Sequence, residues 1–573
     1  MADQINLQGI GAAVGAAVGR AVMIAERVDV VVPDVDQPAE VFKAAATAVA
    51  GDLGSLATEA EARGQEEAAS VLQAQALMAE DTMLASTVEA KIGEGKNFNA
   101  SIREAGSELQ TMLASLPDPY LAARAADVGE VVERISCHLA GVPLRRLDSG
   151  GEPVIYLAST LTAAETAQMD PAAVLGFVTE TGGPTSHVVI IARSMGVPAV
   201  VATGEGSMSG TNLAEGDMVV LDGGSGEVVL RPSKDVLADF NGRVEDHRAA
   251  VAAAEAYRGQ AIMFGDASVS VAANVANQAD LDQAIEAQAD GIGLLRTEFL
   301  FLDRPAAPSE EEQYEFYAAA AKAFDKPVVI RTMDIGGDKP ADYMTIPDEE
   351  NPFLGVRGAR LYHHHPKAFE DQVRAILRAA VHGDVWMMIP MITTVAEIID
   401  LRAWIERIAA ATDAEIRMPK IGAMVEVPAI ALSADALIEH VDFVSIGSND
   451  LTQYTMAADR TNEELGHLQD ACAPSVMALC DMVAAAAKRG GVSASVCGLS
   501  AADPTAAGAY AAMGIDKLSV SARMVNPTKA AVASLDPALG RAAVDEAVKS
   551  ASAEAVRSRL DRWRSDSAST KEP

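Results

Sequence analysis

The sequence predicts a multidomain α/β and α protein: an α/β domain interrupted by an inserted helical bundle, then a linker helix, then a (β/α)8 barrel of the TIM type. Three observations lead there. Strand-like segments at the start of the chain return after a long interval rich in Ala, Glu, Gln and Leu. A charged, alanine-rich stretch with no strand neighbours comes next. Beyond it, apolar β-type runs alternate with helical ones to about residue 530.

Residues 1–33 carry glycine-punctuated apolar pieces, chiefly Ala21–Ile24 and Val28–Val32, which read as short strands. From about Gln37 to Leu139 apolar residues recur at helical spacing. Breaks near Gly64, Gly93-Glu94-Gly95 and Pro117-Asp118-Pro119 divide this block into four or five antiparallel helices. Strand chemistry resumes at Val154–Leu157, Gly176–Val178, Ala199–Val201 and Met218–Leu221, so the helical block is an insertion. Pro232 to Tyr257 reads as a connecting helix.

The strand candidates that follow are Val269–Val275, Gly291–Leu295, Val328–Met333, Trp386–Pro390, Ala423–Val427, Phe443–Ile446, Ala494–Val496 and Leu518–Val520. Eight such units suit a (β/α)8 barrel, although the count alone also admits an open sheet. The expected boundaries are 1–33 with 146–231 for the α/β domain, 34–145 for the insertion, 232–259 for the linker and 260–573 for the barrel. The polar tail after about Ser550 is expected to fray toward its end.

Composition narrows the function classes. A chain of 573 residues, 49% apolar and 22% charged, has room for three or four cores and little disorder. Its net charge of −36 argues against nucleic acid as partner; it suits a basic protein partner, although acidity for solubility alone is the simpler explanation. The cysteines, Cys137, Cys472, Cys480 and Cys497, lack metal-type spacing and read as reduced cytosolic thiols. The start has no basic segment typical of a signal peptide, and no run of about 18 apolar residues occurs, so neither export nor a membrane span is expected.

Two places carry chemistry. In Thr181-Gly182-Gly183-Pro184-Thr185-Ser186-His187 a turn is followed by capping residues and an apolar helix that runs to Gly196. His187 then sits in the first helical turn, where free N–H groups and the macrodipole favour an anion, as a phosphoryl-accepting nucleophile requires. Capping of a buried helix explains this segment alone equally well. The second place is the set of barrel strand ends: Arg296-Thr297-Glu298, Arg331-Thr332-Met333-Asp334, Glu426, Asn449-Asp450 and Cys497-Gly498, with Arg357 and Arg460 in nearby loops. Guanidinium groups bind carboxylate and phosphate bidentately, so the arginines suit a small polyanion. Glu426 and Asp450 offer two hard oxygen ligands of the kind a phosphate-bound Mg²⁺ takes. His363-His364-His365 reads as a solvated helix start, since adjacent helical residues do not face one another.

These residues resemble Enzyme I of the bacterial sugar phosphotransferase system, the phosphoenolpyruvate–protein phosphotransferases among the PEP-utilising enzymes. The likeness spans nearly the whole chain. It rests on Gly182 to His187, Gly291 to Phe301, Ile330 to Lys339, Asn351 to Arg357, Met424 to Pro428 and Ser445 to Tyr454.

The resemblance implies that residues 1–33 and 146–231 form a phosphohistidine domain and that His187 accepts the phosphoryl group on Nε2. Phosphoenolpyruvate would be held by Arg296, Arg331, Arg357, Asn449, Asp450 and Arg460, and Mg²⁺ by Glu426 and Asp450. Cys497 would protonate the enolate as pyruvate forms. The 34–145 block would dock the phosphocarrier HPr, with Arg124 near that interface, and the barrel would form a homodimer in the cytoplasm. Because the imidazole must serve two partners, a swivel about Pro232–Gly259 is expected.

Two positions depart from the family pattern: Leu499 replaces an acidic residue after Cys497-Gly498, and Gln75 replaces a histidine. Either could alter the thiol or the partner surface. The competing readings are a dikinase or PEP-synthase-like enzyme and a non-catalytic PEP-sensing regulator. The first lacks its large ATP-binding domain here, and the second sits badly with the full set of His, Arg, Glu and Asp residues.

Overall fold

The structure is a computed structural model. It describes residues 4–24, 30–62, 66–114, 125–142, 152–167, 169, 173–183, 187–208, 211, 213–214, 216–302, 304, 306–337, 341, 343–347, 349–460 and 462–569. The chain forms two compact units, Met1–Ala249 and Ala250–Pro573.

In the first unit a mixed sheet is built from β1 (Ile5–Gln8), β2 (Ile10–Ala13), β3 (Ala16–Ile24), β4 (Val154–Ala158), β5 (Val174–Thr179), β6 (Ala199–Val201), β7 (Met218–Asp222) and β8 (Glu227–Leu230). Their order is β1-β8-β7-β3-β4-β5-β6-β2. β4 lies inside the sheet, and its continuous apolar run suits burial on both faces. Val154, Tyr156 and Ala158 enter one core and Ile155 and Leu157 the other.

Between β3 and β4 lie helices Pro38–Ala62, Glu66–Ala79, Thr82–Gly93, Phe98–Ala114 and Ala125–Ala140, packed around a separate core. Asp81 caps the third of these by accepting the Met83 N–H at 2.7 Å.

Two expectations for this unit need correction. Val30–Val32 form no strand: Val32 is buried in the helical core and its N–H donates to Asn99 Oδ1 at 2.9 Å. The expected residues Val28 and Asp29 lie outside the described set. β8 was not anticipated from its four residues, although the Asp222-Gly223-Gly224-Ser225-Gly226 turn signals a hairpin back from β7. The turn needs glycine: a Cβ on Gly223 would lie 1.8 Å from the Ala13 carbonyl oxygen.

The connecting helix runs from Lys234 to Glu255. In the second unit β9 (Ile262–Phe264) forms a hairpin with β10 (Ala267–Val275). Then come β11 (Ile292–Arg296), β12 (Val328–Arg331), β13 (Val385–Ile389), β14 (Lys420–Val425), β15 (Phe443–Gly447), β16 (Ser493–Cys497) and β17 (Lys517–Val520). β10 to β17 pair in sequence, all parallel, and β10 also pairs β17, which closes an eight-stranded barrel and excludes the open sheet. β14 starts and ends earlier than expected, leaving Glu426 just past the strand.

The tail is helical up to its last residues, and residues 570–573, where fraying was expected, lie outside the described set. Helix Ala553–Ser569 buries Val556, Leu560 and Trp563, and the indole N–H donates to the Asp536 carbonyl at 3.0 Å.

Candidate active site

Side chains alternate across a strand, so every second residue faces the barrel interior. Leu294, Val329, Trp386, Met388, Met424, Phe443 and Cys497 fill that interior. Two residues further on from Leu294, Val329 and Met424 stand Arg296, Arg331 and Glu426, brought by the same alternation to the rim where the strands end. They line a cavity of about 650 Å³, open mouth included, together with Glu298, Asp334, Arg357, Asn449, Asp450, Arg460, Cys497 and Gly498. The barrel therefore gathers the expected strand-end residues in one place.

The guanidinium groups differ in what they already hold. Arg331 is buried; Nη2 donates to Glu298 Oε1 at 2.7 Å, Nη1 lies 3.2 Å from Asp334 Oδ2, and its buried Nε has no acceptor among the described residues. Arg357 is 1% exposed and bridges Asp334 and Asp450. Arg460, part-exposed, reaches Asp450 Oδ2 at 3.4 Å and lies over the Phe353 ring. Arg296, half-buried, makes no hydrogen bond or ion pair among the described residues. The pocket is thus a lattice of alternating charge rather than a plain cationic bowl. Glu298 and Asp334 were visible at the strand ends without being given a role.

Behind the rim, buried hydrogen bonds steady the strand ends. Thr297 Oγ1 donates to the Arg331 carbonyl at 2.8 Å, and Gln372 joins Thr297, Met333 N–H and Tyr317. Nothing in the local sequence around Gln372 points to this site, because its partners come from another helix and from the loops after two strands.

Glu426 is 1% exposed and accepts the Met391 N–H at 2.7 Å, which holds Met391 at φ 58°. Burial, then the charges of Asp450 and Asp334, push the Glu426 carboxyl up to about 8 against the pull of Arg331 and Arg357. Crowded hard oxygen donors whose ionisation is suppressed in this way fit a divalent cation. Among the described residues no group of three or more His, Cys, Asp or Glu side chains forms a metal cage. The carboxylate pair therefore suits an ion that takes its other ligands from substrate and water. Gly447 makes room for the pair: a Cβ there would lie 2.8 Å from Glu426 Oε2.

Cys497 ends β16 at 2% exposure, and burial pushes its thiol up to about 11, so it carries its proton at neutral pH. Ser445 Oγ–H donates to its sulfur at 3.2 Å. The Leu499 side chain, 67% exposed, points away, while its N–H donates to Asn449 Oδ1 at 3.1 Å. The missing acidic residue therefore leaves the thiol's hydrogen bonds untouched. Cys137, Cys472 and Cys480 are also buried free thiols.

The other candidate lies in the first unit. Helix His187–Met195 begins at His187 and ends before Gly196, which has φ 70°. Val188, Val189 and Ala192 pack on the sheet core, and Ile191 packs on the helical core. Pro184, Thr185, Ser186 and the His187 side chain lie outside the described set, as do Arg124, Asp338 and Lys339. Gln75 is fully buried, and its Nε2 donates to Asp127 Oδ1 at 3.0 Å and Glu130 Oε2 at 2.9 Å, tying helix Glu66–Ala79 to helix Ala125–Ala140. His365 directly precedes helix Pro366–Ala379, with Nε2 2.8 Å from the Thr345 carbonyl, and His363 stacks on Trp404, so the histidine run stands at a helix start. Among the described residues no helix is long and apolar enough to cross a membrane.

Three family descriptions match the sequence: PEP-utilising enzyme, N-terminal, over residues 8–124; PEP-utilising enzyme, mobile domain, over 150–226; and PEP-utilising enzyme, PEP-binding domain, over 252–537. A phosphoenolpyruvate-protein phosphotransferase of Streptomyces coelicolor is 39% identical over 542 residues, covering 92% of this chain and 94% of its own. One from Haloferax volcanii is 42% identical over 493 residues, 84% of each chain. A solution structure of Enzyme I aligns with 42% of this chain and 99% of its own at 30% identity, with a TM-score of 0.37.

Proposed function

The chain belongs to the phosphoenolpyruvate–protein phosphotransferases of the PEP-utilising family, and from that premise we propose that the barrel pocket holds phosphoenolpyruvate while His187 receives its phosphoryl group. The enzyme is a transferase of the phosphotransferase system that uses phosphoenolpyruvate. The observation that supports the site assignment is the convergence of four arginines, the Glu426/Asp450 pair and a protonated buried thiol on one cavity. Neither the dikinase or PEP-synthase-like alternative nor the non-catalytic regulator is favoured, since the relatives that match over most of their own length carry the phosphotransferase name.

In this reading Arg296, which has no hydrogen-bond or ion-pair partner among the described residues, and Arg331, through its unaccepted Nε–H, bind the substrate's anionic groups, with Arg460 closing from the rim. The Asn449 carboxamide is oriented by the Leu499 N–H, which turns its NH2 toward the same anion. Arg357 acts one step back, holding Asp334 and Asp450 in place. Glu426 and Asp450 would hold Mg²⁺, which when bound offsets the charge developing on the phosphoryl oxygens and the enolate. The ester P–O bond breaks as a P–N bond forms to Nε2 of His187. Cys497 then gives its proton to the enolate carbon, and pyruvate leaves.

Residues 1–33 with 146–231 serve as the phosphohistidine domain, 34–145 as the docking surface for HPr, 232–259 as the linker and 260–573 as the PEP-binding and dimerising barrel. The phosphoryl group passes next to a histidine of HPr, in the cytoplasm, with the linker allowing the imidazole to serve both partners. Incubation with labelled phosphoenolpyruvate and Mg²⁺ tests this: acid-labile label is expected on the wild type, none on His187→Ala, and loss of label to added HPr. An unlabelled wild type overturns the reading.

A further inference from the structure

The Cys497 sulfur has an unusual neighbour. Ser445 on β15 and Cys497 on β16 lie on paired parallel strands, with Gly447 as the direct partner of Cys497 and Ser495 as that of Ser445. Ser445 is completely buried, and its hydroxyl donates to Sγ at 3.2 Å. Sulfur is a weak acceptor, and a hydroxyl on a strand normally finds a carbonyl instead. Ser495 does so, donating to the Val444 carbonyl at 3.3 Å. Sγ in turn faces the Ile446 carbonyl at 3.7 Å. The thiol is thus held at two points on the wall of the substrate cavity, and Ser445 spends its only donor there.

We propose that Ser445 is a positioning residue for the Cys497 thiol, fixing Sγ toward the substrate carbon and stabilising the thiolate that remains after proton transfer. The proposal rests on the reading that Cys497 protonates the enolate. In that step the S–H bond breaks and its electron pair stays on sulfur. The enolate double bond supplies the pair for the new C–H bond, and its oxygen becomes the pyruvate ketone. The Ser445 O–H then becomes a hydrogen bond to an anion, which is stronger than one to a neutral thiol. Water entering through the cavity mouth restores the thiol proton. Without the hydroxyl the same anion would form among Leu294, Met424 and Phe443 of the apolar interior.

The test compares wild type, Ser445→Ala, Ser445→Thr and Cys497→Ala in the full chain, reading kcat and KM for phosphoenolpyruvate and the solvent deuterium isotope effect on pyruvate formation. For Ser445→Ala, kcat is expected to fall about 10- to 100-fold, the value for one hydrogen bond to a charged group, with KM within about twofold and a larger isotope effect. Ser445→Thr keeps the hydroxyl and is expected to retain most of the rate. If alanine fails to fold, Ser445→Cys keeps the shape with a weak donor and is expected to show the same loss. The proposal is overturned if the alanine variant matches wild type in kcat and isotope effect, or if alanine and threonine fall equally. A Cys497→Ala variant with undiminished turnover would remove the proton-donor reading itself, whereas a wild type that takes no label would remove the assigned function.

Discussion

Arg357 meets Asp334 with two nitrogens, Nη2 at 2.8 Å from Oδ2 and Nε at 3.3 Å from Oδ1, and neither side chain is more than 2% exposed. A forked guanidinium on a planar carboxylate is geometry that lysine cannot reproduce. The remaining nitrogen, Nη1, reaches Asp450 at 3.2 Å, so one cation holds two carboxylates that belong to different strand ends.

Replacing Arg357 by alanine leaves these carboxylates beside Glu426 without their buried counter-charge. We expect a loss of about 3–5 kcal/mol, as for other broken buried pairs, together with weakened phosphoenolpyruvate binding. Arg357→Lys should recover only part of it. Urea unfolding measures the first effect, and a loss below about 1 kcal/mol would contradict the role assigned to this side chain.

Gly498 follows the thiol with φ 140°, and a Cβ there would lie 2.3 Å from Ser448 Oγ and 3.1 Å from Asn449 Oδ1. Gly498→Ala should therefore displace the Ser448–Asn449 segment as well as strain its own backbone, by about 1–3 kcal/mol. The expected result is a lower melting temperature and a raised KM for phosphoenolpyruvate. Unchanged values of both would show that the loop yields freely.

Lys517 is buried at the opposite end of the barrel, with its ammonium 4.3 Å from the Trp386 ring centre. Burial lowers its pKa, while Asp516 and Asp384 pull it back up and Lys420 lowers it further. The folded protein then binds fewer protons than the unfolded chain between the two pKa values, so stability rises with pH across that interval. The penalty is fully present below the folded pKa and gone above the ordinary lysine value. Lys517→Met should raise the melting temperature at neutral pH, with the gain shrinking as pH approaches that value. Melting curves across neutral to alkaline pH check this, and a variant less stable at pH 7 would show that the ring contact outweighs burial.

Arg557, on the C-terminal helix, donates to Asp470 through Nε and Nη2, both at 2.7 Å, and to Asp503 through Nη1 at 2.6 Å. Asp503 caps the helix that follows the Cys497 loop, and Asp470 lies ten residues beyond Arg460. Burial raises the Asp470 pKa, but hydrogen bonds from Arg557 bring it below the usual value. That stabilisation is present above the ordinary aspartate range and is lost as pH falls through the lowered pKa. Arg557→Ala should reduce stability by about 1–3 kcal/mol at neutral pH and speed proteolytic removal of residues 553–569. The difference should narrow in acid. Equal proteolysis of the two proteins would argue against the clamp.

The barrel was legible because its strands are short apolar runs recurring with helices between them, and a two-residue period set which side chains reach the rim. Arg296, Arg331 and Cys497 could therefore be named in advance, each at or beside a strand end. β8 and β9 escaped because four or three residues carry little periodicity. The C-terminal helix was not named in advance for another reason. Its polar face dominates the composition, and only packing reveals that Val556, Leu560 and Trp563 share the opposite side. Gln372 and Met391 had no local signature, and Ser445, although part of a recognised motif, gave no sign of meeting Cys497, since each interacts with a residue from another element of the chain.

By itself the sequence determined the order of helices and strands, the count of eight barrel strands, the helix that starts at His187, and the chemical types collected at the strand ends. Those follow from local propensity and side-chain alternation, which neighbouring residues decide. Only the tertiary structure decided that Arg357 joins Asp334 to Asp450, that burial beside Asp450 and Asp334 pushes the Glu426 carboxyl up, and that Ser445 meets the sulfur of Cys497. Such pairings bring together residues 23, 93 and 52 positions apart. Their geometry and burial exist only once the parallel strands close upon one another.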